Sequence, residues 1–144
     1  MIKMPNIRRA GAEDAPSCAA IVSNWLFRTR WIANGPDLAE LTRILRKGIP
    51  LREFWVIGEP VQGYVSLEIK KSQIHGLYVA EQGLGLGKAL VNKVKEGRDF
   101  LQLYTHIPNE AAQRFYHREG FETVEELPEG RGDGVGELRM EWHR

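Results

Sequence analysis

Three glycines at alternate positions lie between a strand-like and a helix-like stretch of this sequence. The residues before them, 74–79, are apolar and rich in strand formers, whereas the residues after them repeat apolar side chains at helical spacing. Amide N–H groups would therefore converge at a helix N-terminus, where the helix dipole favours an anion, and glycine lets an anion approach closely. The candidate phosphate-binding residues are Gln82, Gly83, Leu84, Gly85, Leu86, Gly87 and Lys88.

Two common phosphate-binding motifs do not fit this segment. A Walker loop has four residues between its first glycine and Gly-Lys-Ser/Thr, but only three separate Gly83 from Gly87, and Ala89 replaces the magnesium-binding hydroxyl. The dinucleotide fingerprint would place its third glycine at Lys88, and no acidic residue lies near position 105 to bind a ribose. The sequence therefore disfavours a nucleoside triphosphatase and a classical NAD-binding protein.

A second motif follows a strand-like stretch and has the pattern Asn-x-x-Ala-x-x-Phe-Tyr-x-x-x-Gly-Phe, from Asn109 to Phe121. Asn109 is a typical helix N-cap, and Gly120 is a typical left-handed residue after a helix. Together with the preceding Gln-x-x-Gly-x-Gly loop, this motif resembles the acyl-CoA-binding core of the GNAT superfamily of N-acetyltransferases. From the start of the loop at Gln82 to Phe121, the two segments and the stretch between them span 40 of the 144 residues.

The resemblance implies an α+β fold of three layers, the GNAT fold, with a mixed central sheet and helices on both faces. Hydrophobic periodicity and turn residues predict the matching element order β-α-α-β-β-β-α-β-α-β-β. We expect one domain spanning residues 1–144. In this fold the parallel strands predicted at 74–79 and 100–105 would splay apart to hold a thioester. The other predicted strands are 7–9, 54–57, 61–69, one from Phe121, and 137–142, and the helices start near Asp14, Leu38, Leu86 and Asn109.

The resemblance also implies acetyl-CoA as co-substrate. Backbone groups of Leu77, Tyr78 and Val79 would pair with the pantetheine arm like an added strand, residues 83–88 would hold the diphosphate, and Asn109 would fix the arm. Only two residues separate Val79 from the loop, fewer than in most relatives, so the exact diphosphate contacts stay open.

Individual loop side chains have alternative interpretations. Gln82 would either contact phosphate or cap the helix, and Lys88 would be either a phosphate ligand or a solvated residue. We expect Leu84 and Leu86 to anchor the loop in the core.

Catalysis in the superfamily is direct attack by an amine, and the resemblance assigns Tyr116 as the general acid that protonates the departing thiolate. The alternative role of Tyr116 is packing on the cofactor. The identity of the general base stays open between His75, Glu68 and water. Alternation along the strand predicts that His75 shares a face with Leu77 and Val79. A lysine-type amine gains from a base, since neutrality at pH 7 costs about 4 to 5 kcal/mol.

Acceptor specificity in this superfamily depends on the first two helices and the final hairpin, which here contribute Trp25, Trp31 and the glycine-rich loop 128–136. These residues do not distinguish a small molecule, a polyamine, an antibiotic or a protein amine. A catalytically weak acyl-CoA-binding sensor or interaction domain is the alternative function. Dimerisation through the last strands occurs in similar proteins, so a homodimer is also open.

Composition argues against several other classes of protein. Lys and Arg total 20 against 19 acidic residues, which predicts neither a nucleic-acid partner nor an anionic membrane. The four histidines and single cysteine have no metal-ligand spacing, so we expect no metal. No signal or long apolar segment is recognisable, and we expect a cytoplasmic protein.

Overall fold

The computed structural model describes residues 4–32 and 34–144. In these residues seven strands and four α-helices follow one another in the predicted order. The strands are β1 (Ile7–Arg9), β2 (Glu53–Ile57), β3 (Gly63–Glu68), β4 (Gln73–Val79), β5 (Phe100–His106), β6 (Glu122–Leu127) and β7 (Glu137–His143). The helices are α1 (Ala15–Arg28), α2 (Leu38–Gly48), α3 (Leu86–Lys95) and α4 (Glu110–Arg118). The mixed fold with helices on both faces of the sheet is therefore confirmed.

The residues at the helix N-caps explain where α2 and α4 begin. Asp37 caps α2 by accepting a 2.8 Å hydrogen bond from the Glu40 N–H, and Asn109 caps α4 through its Oδ1 at 3.2 Å from the Ala112 N–H. Helix α3 differs because its N-cap is Gly85, a left-handed residue with no side chain to satisfy the first turn.

The seven strands form one sheet in the order β1-β2-β3-β4-β5-β7-β6, antiparallel except for the central β4–β5 pair. That pair has register contacts only at Gln73–Gln102 and Ile74–Leu103. Beyond them the two strands diverge toward their carboxyl ends. The predicted splaying of neighbouring parallel strands is thus present, and it opens a cleft in the middle of the sheet.

Each face of the sheet is covered by its own apolar core. Helices α1 and α2 cover one face, where Cys18, Val56 and Tyr64 are buried. Helices α3 and α4 cover the other, where Leu90 and Phe121 are buried. Because both cores hold the sheet from opposite sides, the divergence of β4 and β5 occurs within a rigid frame.

A β-bulge at His75 interrupts the regular alternation of β4. Ser66 pairs with Gly76 and Leu67 pairs with Ile74, so His75 has no partner on β3. Below and above the bulge, Ile74 and Leu77 both pack into the core on the α3 face. The extra residue therefore turns His75 away from that face, and the prediction that it shares a face with Leu77 and Val79 is wrong.

Among the described residues, no helix is both long and apolar enough to cross a bilayer.

Candidate active site

The diverging ends of β4 and β5 enclose a cleft of about 560 Å³. Its walls come from β4, the glycine loop, the end of β5 and one side of α4. The cleft therefore brings together residues from both sequence motifs, which are separated along the chain by α3 and β5.

One wall of the cleft is a half-paired strand. The Ala80 N–H donates to the Gln62 carbonyl at 2.7 Å, which places the backbone groups of even-numbered residues here toward β3. The N–H and C=O groups of Leu77 and Val79 consequently face the cleft. Tyr78 differs from the expectation, because its backbone groups turn toward β3 and its ring lies 5.3 Å from that of Trp25.

The glycine loop forms a second wall and presents unpaired amides. Gly83 and Gly85 adopt left-handed φ angles of +83° and +76°, a conformation that side-chain-bearing residues rarely adopt. The N–H groups of residues 85–88 donate to no carbonyl in the described part of the chain, as expected for a first helical turn. The loop and the start of α3 thus present free amides in an arrangement suited to an anion.

The loop side chains differ in their roles. Leu86 is buried and anchors the loop as predicted, but Leu84 is 49% exposed, so its predicted core role is wrong. No side chain caps α3, so the structure does not support the capping role of Gln82, which lies on the cleft wall. The Lys88 Nζ is 3.4 Å from a carboxylate oxygen of Glu119 at the cleft rim.

Gly87 of the first motif packs against Phe115 of the second. A Cβ at this position would lie 3.2 Å from the ring of Phe115 on α4. The absence of a side chain at Gly87 lets the ring of Phe115 pack closely against α3, and a Cβ there would force that ring to shift by a few tenths of an ångström. Asn109, at the start of α4, also lines the cleft.

Tyr116 lies on the cleft side of α4. Its ring is packed edge-on against Phe115 at 5.1 Å and Phe121 at 5.4 Å, and only 8% of the residue is exposed. Burial raises the pKa of the Tyr116 hydroxyl well above its usual value. Every fully buried polar side-chain atom of the described residues has a partner, and the Tyr116 hydroxyl has none among them, so it reaches the open cleft as a protonated donor.

His75 and Glu68 form a hydrogen-bonded pair, with 2.7 Å between Nε2 and Oε1. Burial lowers the pKa of His75 more than its bond to Glu68 raises it, so the imidazole is neutral at pH 7. The bond to His75 in turn lowers the pKa of Glu68. A carboxylate can only accept, so the Nε2 carries the proton and the Nδ1 is left as an acceptor.

The sequence profile described as "Acetyltransferase (GNAT) domain" matches residues 50–123, just over half of the chain. The chain belongs to the GNAT acetyltransferase family. The match includes β2 to α4 and so contains both motifs, the bulged strand and most of the residues that line the cleft. No curated protein matches the sequence.

Solved structures share the whole fold of this GNAT domain. The apo form of YjaB from Escherichia coli has a TM-score of 0.77 at 22% identity, over 97% of this chain and 98% of its own. YncA from Salmonella typhimurium, a putative acetyltransferase with its cofactor acetyl-CoA, has a TM-score of 0.73 at 21% identity, over 98% and 94%. PaiA N-acetyltransferase from Thermoplasma acidophilum, in complex with coenzyme A, has a TM-score of 0.75 at 19% identity, over 99% and 100%.

Sequence reasoning missed the polar contacts at the far rim of this GNAT cleft. Arg131 binds the buried Glu137 with two side-chain bonds of 3.1 and 2.9 Å and lies 3.6 Å above the ring of Tyr104. His106 binds Asp133 at 2.8 Å. These contacts hold the glycine-rich loop 128–136 against β5, and the only sequence signal for them was the position of that loop in the final hairpin.

Proposed function

We propose that this protein transfers the acetyl group of acetyl-CoA to a primary amine by direct attack in a ternary complex. The observation that carries the proposal is the cleft between β4 and β5, where free backbone groups and the side chains of both motifs meet. Family membership supports acetyl transfer, and the geometry of the cleft supports the assignment of roles below.

The unpaired backbone groups of the cleft fit acetyl-CoA. Leu77 and Val79 would bind the pantetheine amides along the open edge of β4, as a peptide adds to a sheet. The amides of residues 85–88 would bind the diphosphate, with Lys88 at the rim and Asn109 beside the arm. Bound in this way, acetyl-CoA supplies an acyl group activated as a thioester.

Tyr116 would act as the general acid. Its high pKa keeps the phenol protonated throughout the physiological range, and the packed rings of Phe115 and Phe121 hold it in one orientation. A fixed donor in a partly desolvated site is what a departing thiolate needs.

His75 would act as the base, with Glu68 as its orienting partner. A neutral imidazole whose Nε2–H is held by a carboxylate can accept a proton at Nδ1 and share the resulting positive charge with that carboxylate. The Val79 N–H, free on the cleft side of β4, would donate to the oxyanion that forms on the attacked carbonyl.

Release of free CoA from acetyl-CoA, measured across a panel of amines, tests this function. The panel contains amino acids, polyamines, aminoglycosides and peptides that offer N-terminal or lysine amines. Turnover with any class supports the enzyme. A raised melting temperature with acetyl-CoA but no turnover with any amine would favour the sensor, and no shift in melting temperature would contradict acetyl-CoA binding itself.

A further inference from the structure

A second groove lies on the opposite face of the sheet from α3. It encloses about 200 Å³ between the first two helices and strands β3 and β4, which is smaller than the sites of about 300 to 1,000 Å³ that bind drug-sized ligands. Aliphatic side chains of the helices form its outer wall: Val22, Leu41, Ile44 and Leu45. The groove therefore fits a small body with an apolar part.

The groove and the cleft share part of their lining. His75, Gly76 and Tyr78 line both spaces, so strand β4 at the β-bulge is their common wall. A Cβ on Gly76 would lie 3.4 Å from the Tyr64 hydroxyl and 3.4 Å from the Tyr78 ring. His75 itself lines the groove, so a ligand in the groove would place one end beside the His75–Glu68 pair.

The groove also contains polar groups that have no protein partner. Arg52 lines it, and its guanidinium bonds to no carboxylate of the described residues. Ser66 is only 5% exposed, faces the groove, and its hydroxyl bonds to no other described side chain or backbone group. By contrast, Arg131 at the far rim of the cleft is fully engaged by Glu137. An unpaired cation beside a buried hydroxyl is suited to a carboxylate.

The positive charge of Arg52 is also close to the catalytic pair. It lowers the pKa of both His75 and Glu68. Because the groove encloses only about 200 Å³, a ligand that spans from the pair to Arg52 has its amine and its anionic group only a few bonds apart. Polyamines and aminoglycosides do not meet this requirement, because they lack an anionic group and would bring further positive charge to Arg52.

We propose that the acceptor is a free α-amino acid with an apolar side chain, bound in this groove. This inference rests on the proposed acetyl transfer. The carboxylate pairs with Arg52 and Ser66, the side chain lies along the aliphatic wall of α1 and α2, and the amine faces His75. The amine nitrogen forms a bond to the acetyl carbonyl carbon as the carbon–sulfur bond breaks. His75 takes the amine proton and Tyr116 supplies one to the thiolate, so the products are an N-acetylamino acid and free CoA.

Free leucine and isopentylamine, which have the same branched chain with and without a carboxylate, provide the test. We expect kcat/KM for leucine to exceed that for isopentylamine at least tenfold. Arg52→Gln should raise KM for leucine by about 10- to 100-fold, the range for a lost charged hydrogen bond, and so lower the ratio of kcat/KM for leucine to that for isopentylamine. Arg46→Gln is the matched control, since Arg46 is exposed on α2 outside the groove, and Arg52→Lys should restore part of the affinity.

The outcomes separate this inference from the proposed function. Preference for isopentylamine, a polyamine or a peptide, with no effect of Arg52→Gln, would overturn the amino-acid acceptor and leave acetyl transfer standing. No CoA release with any amine of the panel, despite bound acetyl-CoA, would overturn both. If Arg52→Gln lowers leucine and isopentylamine turnover equally, Arg52 does not bind the carboxylate and the inference fails.

Discussion

At the scale of single residues, the proposed chemistry depends on how burial sets two protonation states. Tyr116 is buried among aromatic rings and stays protonated, whereas His75 is buried enough to stay neutral although a carboxylate binds it. One site thus contains a donor and an acceptor at the same pH. Pairs of groups with pKa values pushed apart are the usual basis of acid–base catalysis.

Tyr116→Phe tests the donor. The substitution removes only the hydroxyl and keeps the ring packed against Phe115 and Phe121. We expect kcat to fall about 100-fold, at the lower end for general acid catalysis, with the dissociation constant for acetyl-CoA unchanged. Steady-state kinetics and titration calorimetry measure the two quantities. Equal losses of affinity and turnover would instead indicate that Tyr116 only packs on the cofactor.

The pH dependence of kcat/KM tests the acceptor. His75 must be neutral to act, so activity is present above its lowered pKa and is lost as pH falls through it, below the usual 6.5. The acceptor amine must also be neutral. A plot of log kcat/KM against pH should therefore have a slope of one above the His75 pKa and a slope of two below it. Glu68→Gln removes the group that raises the His75 pKa, so the change of slope should move to lower pH.

An unchanged profile in Glu68→Gln would show that the pair does not titrate in catalysis. For the base itself, we expect His75→Gln to bind acetyl-CoA with unchanged affinity and to show a slope of one over the whole pH range.

At the scale of elements, the glycine loop works through backbone conformation. Gly83 and Gly97 both have left-handed φ angles, +83° and +73°, and at both a Cβ would meet no atom within 4 Å. Alanine at either position should therefore cost a similar conformational energy, about 1 to 2 kcal/mol. Gly83 lies on the cleft wall and Gly97 lies after α3, away from the cleft.

We therefore expect Gly83→Ala and Gly97→Ala to lower the melting temperature by similar amounts, while only Gly83→Ala weakens acetyl-CoA binding. Differential scanning fluorimetry with and without acetyl-CoA measures both effects. The assignment of the loop to the diphosphate would be wrong if the two variants bound acetyl-CoA equally well.

The strand β4 is the other element with a specific function. Its bulge turns the side chain of His75 to the face opposite Leu77. Leu77 packs toward α3, whereas His75 lines the groove beside α2. Bulges commonly redirect a side chain next to an active site. Here the redirected His75 lines both the cleft and the groove.

At the scale of the whole molecule, we propose that residues 1–144 unfold as one domain, because a single sheet carries both cores. Asp14 ties the first strand to the first helix. Its carboxylate accepts two 2.8 Å bonds from Arg8 and one from the Gly11 N–H. These bonds lower the pKa of Asp14, the bond from Arg8 contributing most.

A depressed carboxylate pKa stabilises the fold above the unfolded value of about 3.9, and the stabilisation is lost as pH falls through the lowered folded value. Asp14→Asn should therefore lower the unfolding free energy at pH 7 by about 2 kcal/mol, and the effect should shrink as pH falls through the lowered pKa of Asp14. Asp99→Asn is the control, since Asp99 and its partner Arg144 are 85% and 72% exposed, and such pairs contribute about 0 to 1 kcal/mol. Urea unfolding followed by tryptophan fluorescence and circular dichroism should give coincident transitions, and separate transitions would contradict the single domain.

The sequence by itself determined the order of the elements, the two motifs and the family. These features are local: helix and strand periodicity, the cap at Asn109 and the left-handed glycines depend on residues close in the chain. The two motifs carried the resemblance to the GNAT superfamily, and that resemblance predicted the splayed strands and the approximate position of the cleft.

Only the tertiary structure decided which way individual side chains face and which distant groups meet. The face of His75 depends on a bulge in its pairing with β3, and the exposure of Leu84 depends on how the loop lies on the core. The bonds of Arg131 to Glu137, and the position of Arg52 at a groove without an acidic partner, depend on packing between elements far apart in the chain. Register and packing are set by many weak contacts at once, so no single stretch of sequence encodes them.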